Sequence, residues 1–186
     1  PSDRGLAARL KTMLPIGNVF LLPHDRYNWK YEFQGDAAVD FRRIPCPRGR
    51  LVGGSTSVNG SIYMRGHRLD YDDWARQGNP GWSYRDVLPV FKRMENFQGG
   101  SDDFHGVGGA LDVQRLATPN ALAHAFVESA IGCGYRANDD FNGAEQDGFG
   151  LFHLNHRDGE RLSSSRAFLW PVLNRPNLRV FDESLV

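Results

Sequence analysis

Gly53 and Gly54, followed by Ser55, Thr56, Ser57 and then Asn59, are the residues of this 186-residue chain best suited to hold a ligand with the backbone. Neither glycine has a Cβ, so positive φ is accessible and the main chain can approach a flat or anionic group closely. Exposed amide N–H groups on such a turn make an anion cradle. The stretch has no Gly-Lys-Ser/Thr as in a Walker loop, and it is not the GxGxxG dinucleotide fingerprint. On spacing alone two readings stay open, a ligand-holding turn and a tight strand-to-helix connection.

Other chemistry-bearing residues have weaker patterns. Asp102, Asp103 and His105 lie in a glycine-rich loop over Gln98–Gly109 without metal-ligand spacing, so turn chemistry is the better explanation. His153 and His156 fall on opposite faces of a strand, again with no Cys or carboxylate at zinc spacing. His24 and His124 are read as structural. Ser163 to Ser165 lack the strand-turn-helix context of a nucleophile elbow and are read as capping the short helix that carries Ala167, Phe168 and Leu169. Cys46 and Cys133 are too few for a disulfide framework and are read as reduced, buried thiols.

The elements that position these residues follow from periodicity. Leu6, Leu10, Met13 and Leu14 mark a short amphipathic helix ended by Pro15 and Gly17. Residues 18–47 alternate apolar pieces with Pro and Gly-Asp punctuation, which predicts extended segments and loops. A strand then enters the glycine turn. In LDYDDWARQG, Asp70 is the expected cap and Gly78 the terminator; in GWSYRDVLPVFKRMENF, Ser83 and Asp86 form a capping box and Pro89 predicts a kink or restart. Thr118 is expected to cap a helix that starts at Pro119, with Leu122, Phe126, Ser129, Ala130 and Cys133 on one face and Gly134 closing it. Leu178, Val180 and Phe181 read as a strand. The sum is a mixed α/β chain.

Lys plus Arg balance Asp plus Glu at 22 each, so no global field draws in nucleic acid or an anionic membrane. Arg42, Arg43, Arg48 and Arg50 are read as a solvated basic face. No apolar run approaches the roughly 20 residues of a transmembrane span, and no signal peptide opens the sequence, so a cytoplasmic location is the default expectation. The chain begins with Pro1, has no strand-GxGxxG-helix unit and ends in what reads as mid-sheet, so it is read as an internal segment of a longer protein or as one from which an N-terminal piece was removed.

The full wording of RGRLVGGSTSVNGSIYMRG, Arg48–Gly66, resembles the first signature of the glucose-methanol-choline (GMC) oxidoreductases: small residue, Arg, aliphatic, Gly-Gly, small hydroxyls, aliphatic, Asn, then Tyr63 and Gly66 at the family's offsets. The following HRLDYDDWARQGNPGWSYRDVLPVFKRME, and later FHGVGGALDV and RDGERLSSSRAFLWPVLNRPNLRV, also resemble family text. NWKYEFQ matches only in part, lacking the Thr-Glu-Pro that usually follows.

The resemblance implies a Rossmann-like FAD-binding domain and a sheet-based substrate domain. Residues 1–66 then belong to the FAD domain with its signature loop, 67–105 form a helical extension or lid, 106–176 belong to the substrate domain and 177–186 return to the FAD domain. Val52, Gly53 and Gly54 would lie along the flavin and pyrophosphate, Asn59, Gly60, Ser61 and Ile62 near the isoalloxazine ring, and Val186 at the adenine. Some members have a His before the signature Asn that tethers the flavin covalently; here that position is Val58, which implies non-covalent FAD. The implied reaction oxidises a small-molecule alcohol to an aldehyde or ketone by hydride transfer to flavin N5, with oxygen or a quinone as acceptor. The implied base is a histidine of a C-terminal segment, and the implied GxGxxG an N-terminal one, so no catalytic residue is assigned within this sequence. A hydroxynitrile lyase of the same fold and a non-catalytic flavin-fold binding module are the alternatives.

Overall fold

The computed structural model describes residues 6–182 and Ser184. In chain order it contains α1 (Leu6–Met13), α2 (Asn18–Leu21), β1 (Tyr31–Phe33), β2 (Ile44–Cys46), β3 (Ile62–Tyr63), α3 (Arg68–Arg76) and α4 (Tyr84–Met94). These are followed by β4 (Glu95–Phe97), β5 (Leu111–Val113), α5 (Ala121–Gly132), β6 (His153–Leu154), β7 (His156–Arg157), β8 (Glu160–Arg161) and a π-helical turn, Ser165–Leu169. The described residues form two compact units. The first runs up to Ser61 and resumes at Asp158; the second is Ile62–Arg157.

In the first unit Pro15 starts a 3₁₀ turn rather than simply ending α1, and Val19 to Leu21 continue as helix where extended chain is predicted. Proline's fixed φ suits a first helical position as well as a stop. Thr12 is buried, while Leu10 and Leu14 are exposed. β1 and β2 pair antiparallel, Tyr31 opposite Cys46 and Phe33 opposite Ile44. Buried Asn28 staples the next stretch to this hairpin: its Oδ1 accepts from the Lys30 and Arg48 N–H, each at 3.0 Å, and its Nδ2 donates to the Leu22 carbonyl at 2.7 Å. Arg42, Arg43, Arg48 and Arg50 are exposed, as expected of a solvated basic face. The strand expected at Leu178–Phe181 is not formed: among the described residues nothing pairs with this stretch, and a strand exists only through its ladder.

In the second unit β3 pairs antiparallel with β6, Tyr63 opposite His153, and β4 pairs parallel with β5, Phe97 opposite Val113. Helix α3 is capped by His67, whose ring accepts from the Leu69 N–H, while Asp70 sits a turn further in and its carboxylate accepts from the His67 N–H at 3.1 Å. Asp70 is therefore the return half of a capping box and not the cap itself. Gly78, with φ +94°, ends the helix. Ser83 and Asp86 close the expected box on α4, the Asp86 carboxylate accepting from the Ser83 N–H and hydroxyl at 3.2 and 2.5 Å. The helix is continuous through Pro89 with no restart; it forgoes only the bond that a residue-89 N–H would give to Arg85. Tyr71 packs its ring 5.6 Å from Trp74 and 5.8 Å from Phe91, joining α3 to α4.

Helix α5 is capped by Asn120, whose side chain accepts from the Leu122 N–H at 2.8 Å, and not by Thr118. Asn supplies this bond at least as well as Thr, and it stands directly before the first helical residue. Of the face expected to be core, Ala130 is buried, while Leu122 and Phe126 are 79% and 65% exposed and Cys133 is exposed too. Cys46 is buried as expected. No helix among the described residues is long and apolar enough to cross a membrane.

Candidate functional site

Residues 51–61 form the core of the site in the first unit. The Trp29 N–H donates to the Arg48 carbonyl at 2.9 Å and the Arg50 N–H to the Tyr27 carbonyl at 2.8 Å, so the chain enters in ladder geometry. It reverses in a turn closed by the Gly54 N–H on the Leu51 carbonyl at 2.8 Å, then runs through one 3₁₀ turn, Gly54–Ser57. Gly53 and Gly54 both have positive φ, +90° and +56°. This conformation is open to glycine at little cost.

Two serine-rich segments lock this turn. The Thr56 hydroxyl donates to the Gly53 carbonyl at 2.5 Å, the Ser164 hydroxyl reaches the same carbonyl at 3.2 Å, and the Ser164 N–H donates to Thr56 Oγ1 at 2.9 Å. Ser57 is fully buried and donates to the Val52 carbonyl at 3.1 Å. The Ser163 hydroxyl accepts from the Arg166 N–H at 3.4 Å, but Ser164, directly before the π-helical turn, makes no side-chain cap bond, because its hydroxyl and N–H are spent on Gly53 and Thr56; the run braces the glycine turn more than it caps its own helix.

The glycines differ in their surroundings. A Cβ on Gly53 would lie 2.5 Å from Ser57 Oγ and 2.7 Å from Ser165 Oγ, so this glycine is required by packing. A Cβ on Gly54 or Gly60 would meet nothing within 4 Å. The backbone there faces open space, and a flat or anionic group has room to approach it.

Asn59, Gly60 and Ser61 leave the turn. Ser61 has φ +60°, rare for a residue with a Cβ, and its N–H donates to Asn59 Oδ1 at 3.0 Å. Buried Arg161, on β8, donates from Nη1 to the Asn59 carbonyl at 2.5 Å, to Asn59 Oδ1 at 2.9 Å and to Ser61 Oγ at 2.8 Å. Burial pulls the Arg161 pKa down from its ordinary value. Val52, Gly53, Gly54, Asn59, Gly60 and Ser61 are thus brought together in one unit; Ile62, half exposed, is the first residue of the other. Val186 lies outside the described residues. Val58 is 3% exposed.

The second unit holds a buried charged network that sequence reading passes over. Glu95 is fully buried and accepts from Arg65 Nη2 at 2.9 Å, His105 Nδ1 at 3.1 Å and the Gly106 N–H at 3.0 Å. The other ring nitrogen of His105 lies 2.8 Å from Asp140 Oδ2. Burial opposes charging of His105, but the hydrogen bonds to Asp140 and Glu95 outweigh it and push its pKa up to about 9. Asp140 moves the other way: burial raises it, yet its bonds with His105 and the Asn142 N–H leave it lowered. His153 stands 3.7 Å from Asp140, and burial lowers its pKa. The loop reading of His105 is half right, since Asp102 Oδ1 accepts from the Phe104 and His105 N–H at 2.7 and 2.6 Å in a tight turn. That turn aims the ring inward. The partners come from positions 65, 95, 105 and 140, and no local motif joins them.

A cavity of about 280 Å³ in the same unit is lined by Arg115, His124, Asp139 and His153 with Val127 and Phe152. His153 Nε2 is buried with no hydrogen-bond partner among the described residues. His153 and His124 therefore border this cavity.

The chain was compared with known families and structures. The family described as "GMC oxidoreductase" matches residues 31–186. An "Oxygen-dependent choline dehydrogenase" of Sinorhizobium fredii is 44% identical, and one of Brucella ovis 42%, each over 90% of this chain and 30% of the relative. The chain thus spans under a third of the length of these relatives. The crystal structure of pyridoxine 4-oxidase from Mesorbium loti superposes with a TM-score of 0.87 at 32% identity, over 92% of this chain and 34% of that one. With the signature turn formed as described and the family matched over most of the sequence, the chain belongs to the GMC oxidoreductase family.

Proposed function

We propose that residues 52–62 form one wall of a non-covalent FAD site, in a longer enzyme that oxidises an alcohol to an aldehyde or ketone. The carrying observation is the contrast within the signature turn: Gly53 is packed against protein, whereas Gly54 and Gly60 leave the backbone open. The turn is rigid where it meets the fold and bare where a ligand would lie. The relatives' names point the same way, since choline and pyridoxine are both alcohols.

When bound, FAD supplies the hydride acceptor, N5 of its ring. This chain's residues position and shield. Gly54 and Gly60 admit the ring or pyrophosphate to the backbone, and the interlocked serines hold the turn against movement. Buried Val58 offers no nucleophile for a tether. His105, protonated at neutral pH and engaged at both nitrogens, is no base for a substrate hydroxyl.

The full-length protein should show flavin absorption that bleaches anaerobically on addition of a primary alcohol. Flavin that does not bleach across a panel of alcohols would count against the oxidation. Acid precipitation should release all the yellow colour to the supernatant; colour remaining with the precipitate would contradict non-covalent binding.

A further inference from the structure

Arg161 is 1% exposed, and every acceptor it reaches is formally neutral. Nε donates to the Thr12 carbonyl and Nη2 to the Pro15 carbonyl, each at 3.0 Å, while Nη1 serves the Asn59 carbonyl, Asn59 Oδ1 and Ser61 Oγ. Among the described residues no carboxylate pairs with it, and burial is the one influence that shifts its pKa. An interior cation without a counter-charge is costly to keep. Its Nη1 acceptors all belong to the short turn where Ser61 adopts φ +60°. The guanidinium therefore does two things at one place: it fixes an unfavourable backbone conformation, and it puts a positive charge that no described carboxylate pairs in the low-dielectric interior beside Asn59 and Ser61.

We infer that Arg161 is a positioning residue of the flavin site, locking the Asn59–Ser61 turn and favouring the more negative, reduced state of the cofactor. This rests on the flavin reading above. Hydride uptake adds one negative charge to the ring system, and a fixed positive potential from the protein side stabilises that charge where water cannot screen it. Arg161 touches only its own chain, so it acts through the turn and through its field.

The test uses full-length holoenzyme with Arg161→Met, Arg161→Lys and Ser61→Gly, reading the two-electron midpoint potential by dye equilibration and flavin retention through gel filtration. Arg161→Met should lower the reduced-to-oxidised ratio at a given potential at least tenfold, a shift of about 30 mV to more negative values. Arg161→Lys keeps the charge but not the fork, so its potential should stay near wild type while retention falls. Adding Ser61→Gly to Arg161→Lys should restore retention, because glycine takes the left-handed conformation without help. An Arg161→Met holoenzyme with wild-type potential and retention would overturn the inference. If Arg161→Met does not fold, failure of Ser61→Gly to rescue Arg161→Lys would overturn it instead. A wild-type protein without flavin would refute the proposed function itself, a result distinct from either of these.

Discussion

Replacing Glu95 with Gln should lower the thermal midpoint of the full-length protein by about 3–4 °C, the consequence of losing roughly 3–5 kcal/mol when one partner of a buried charged set is removed from a protein of this size. Glu95 is 0% exposed and accepts from Arg65, His105 and the Gly106 N–H. A glutamine fits the space, but its NH₂ group faces donors, and two cations remain in the interior with their shared anion gone. Against a total stability of about 5–15 kcal/mol, that loss dominates any surface change nearby. A Glu95→Gln protein melting at the wild-type midpoint would show that the carboxylate is not the hub.

The same network sets a pH dependence. His105 has a folded-state pKa of about 9, above its ordinary 6.5. The stability it contributes is fully present below pH 6.5 and is lost as pH rises through 9, a swing of roughly 3 kcal/mol by linkage. His153, with its pKa lowered, adds an opposing slope around and below its ordinary 6.5, because the unfolded state binds the proton that the folded state refuses, and that slope fades as pH rises toward 9. Asp140, also lowered, acts only in acid. The midpoint should therefore decline between pH 6.5 and 9 in wild type, and the slope should flatten in Glu95→Gln. Equal slopes in the two proteins would reject the assignment to His105.

The second large effect separates glycines that look alike in the sequence. Gly53→Ala should be strongly destabilising: left-handed φ costs a residue with a Cβ about 1–2 kcal/mol, and the new Cβ would crowd Ser57 Oγ and Ser165 Oγ at 2.5 and 2.7 Å. Gly60 has neither problem, since its φ is not positive and nothing lies within 4 Å of an added Cβ. Gly60→Val should thus leave the thermal midpoint of the flavin-free protein almost unchanged. A Gly53→Ala protein as stable as wild type would show that the turn can relax.

The contrast between these glycines also marks how far the sequence can be read. The tight turn itself was legible, because adjacent glycines before three hydroxyl residues favour one, although spacing alone left open whether it holds a ligand, and the capping box at Ser83 and Asp86 is a local pattern. Which glycine faces protein depends on Ser165, more than a hundred positions away, so it was not legible. Arg161 and His105 were missed for the same reason: their roles come from partners at Thr12, Asn59 and Ser61, and at Glu95 and Asp140. Helix α5 shows the opposite error. Its periodic apolar residues suggested core, yet Leu122 and Phe126 are exposed, because periodicity reports which residues share a face and not what covers it.

Flavin retention by full-length Gly60→Val tests the central claim most directly, since this substitution spares the fold and fills only the open space beside the turn. The expected result is a folded protein, with a wild-type melting profile in its flavin-free form, that elutes from gel filtration without flavin while wild type keeps its own. A Gly60→Val protein that retains flavin as wild type does, with an unaltered visible spectrum, would contradict the placement of the cofactor against this turn.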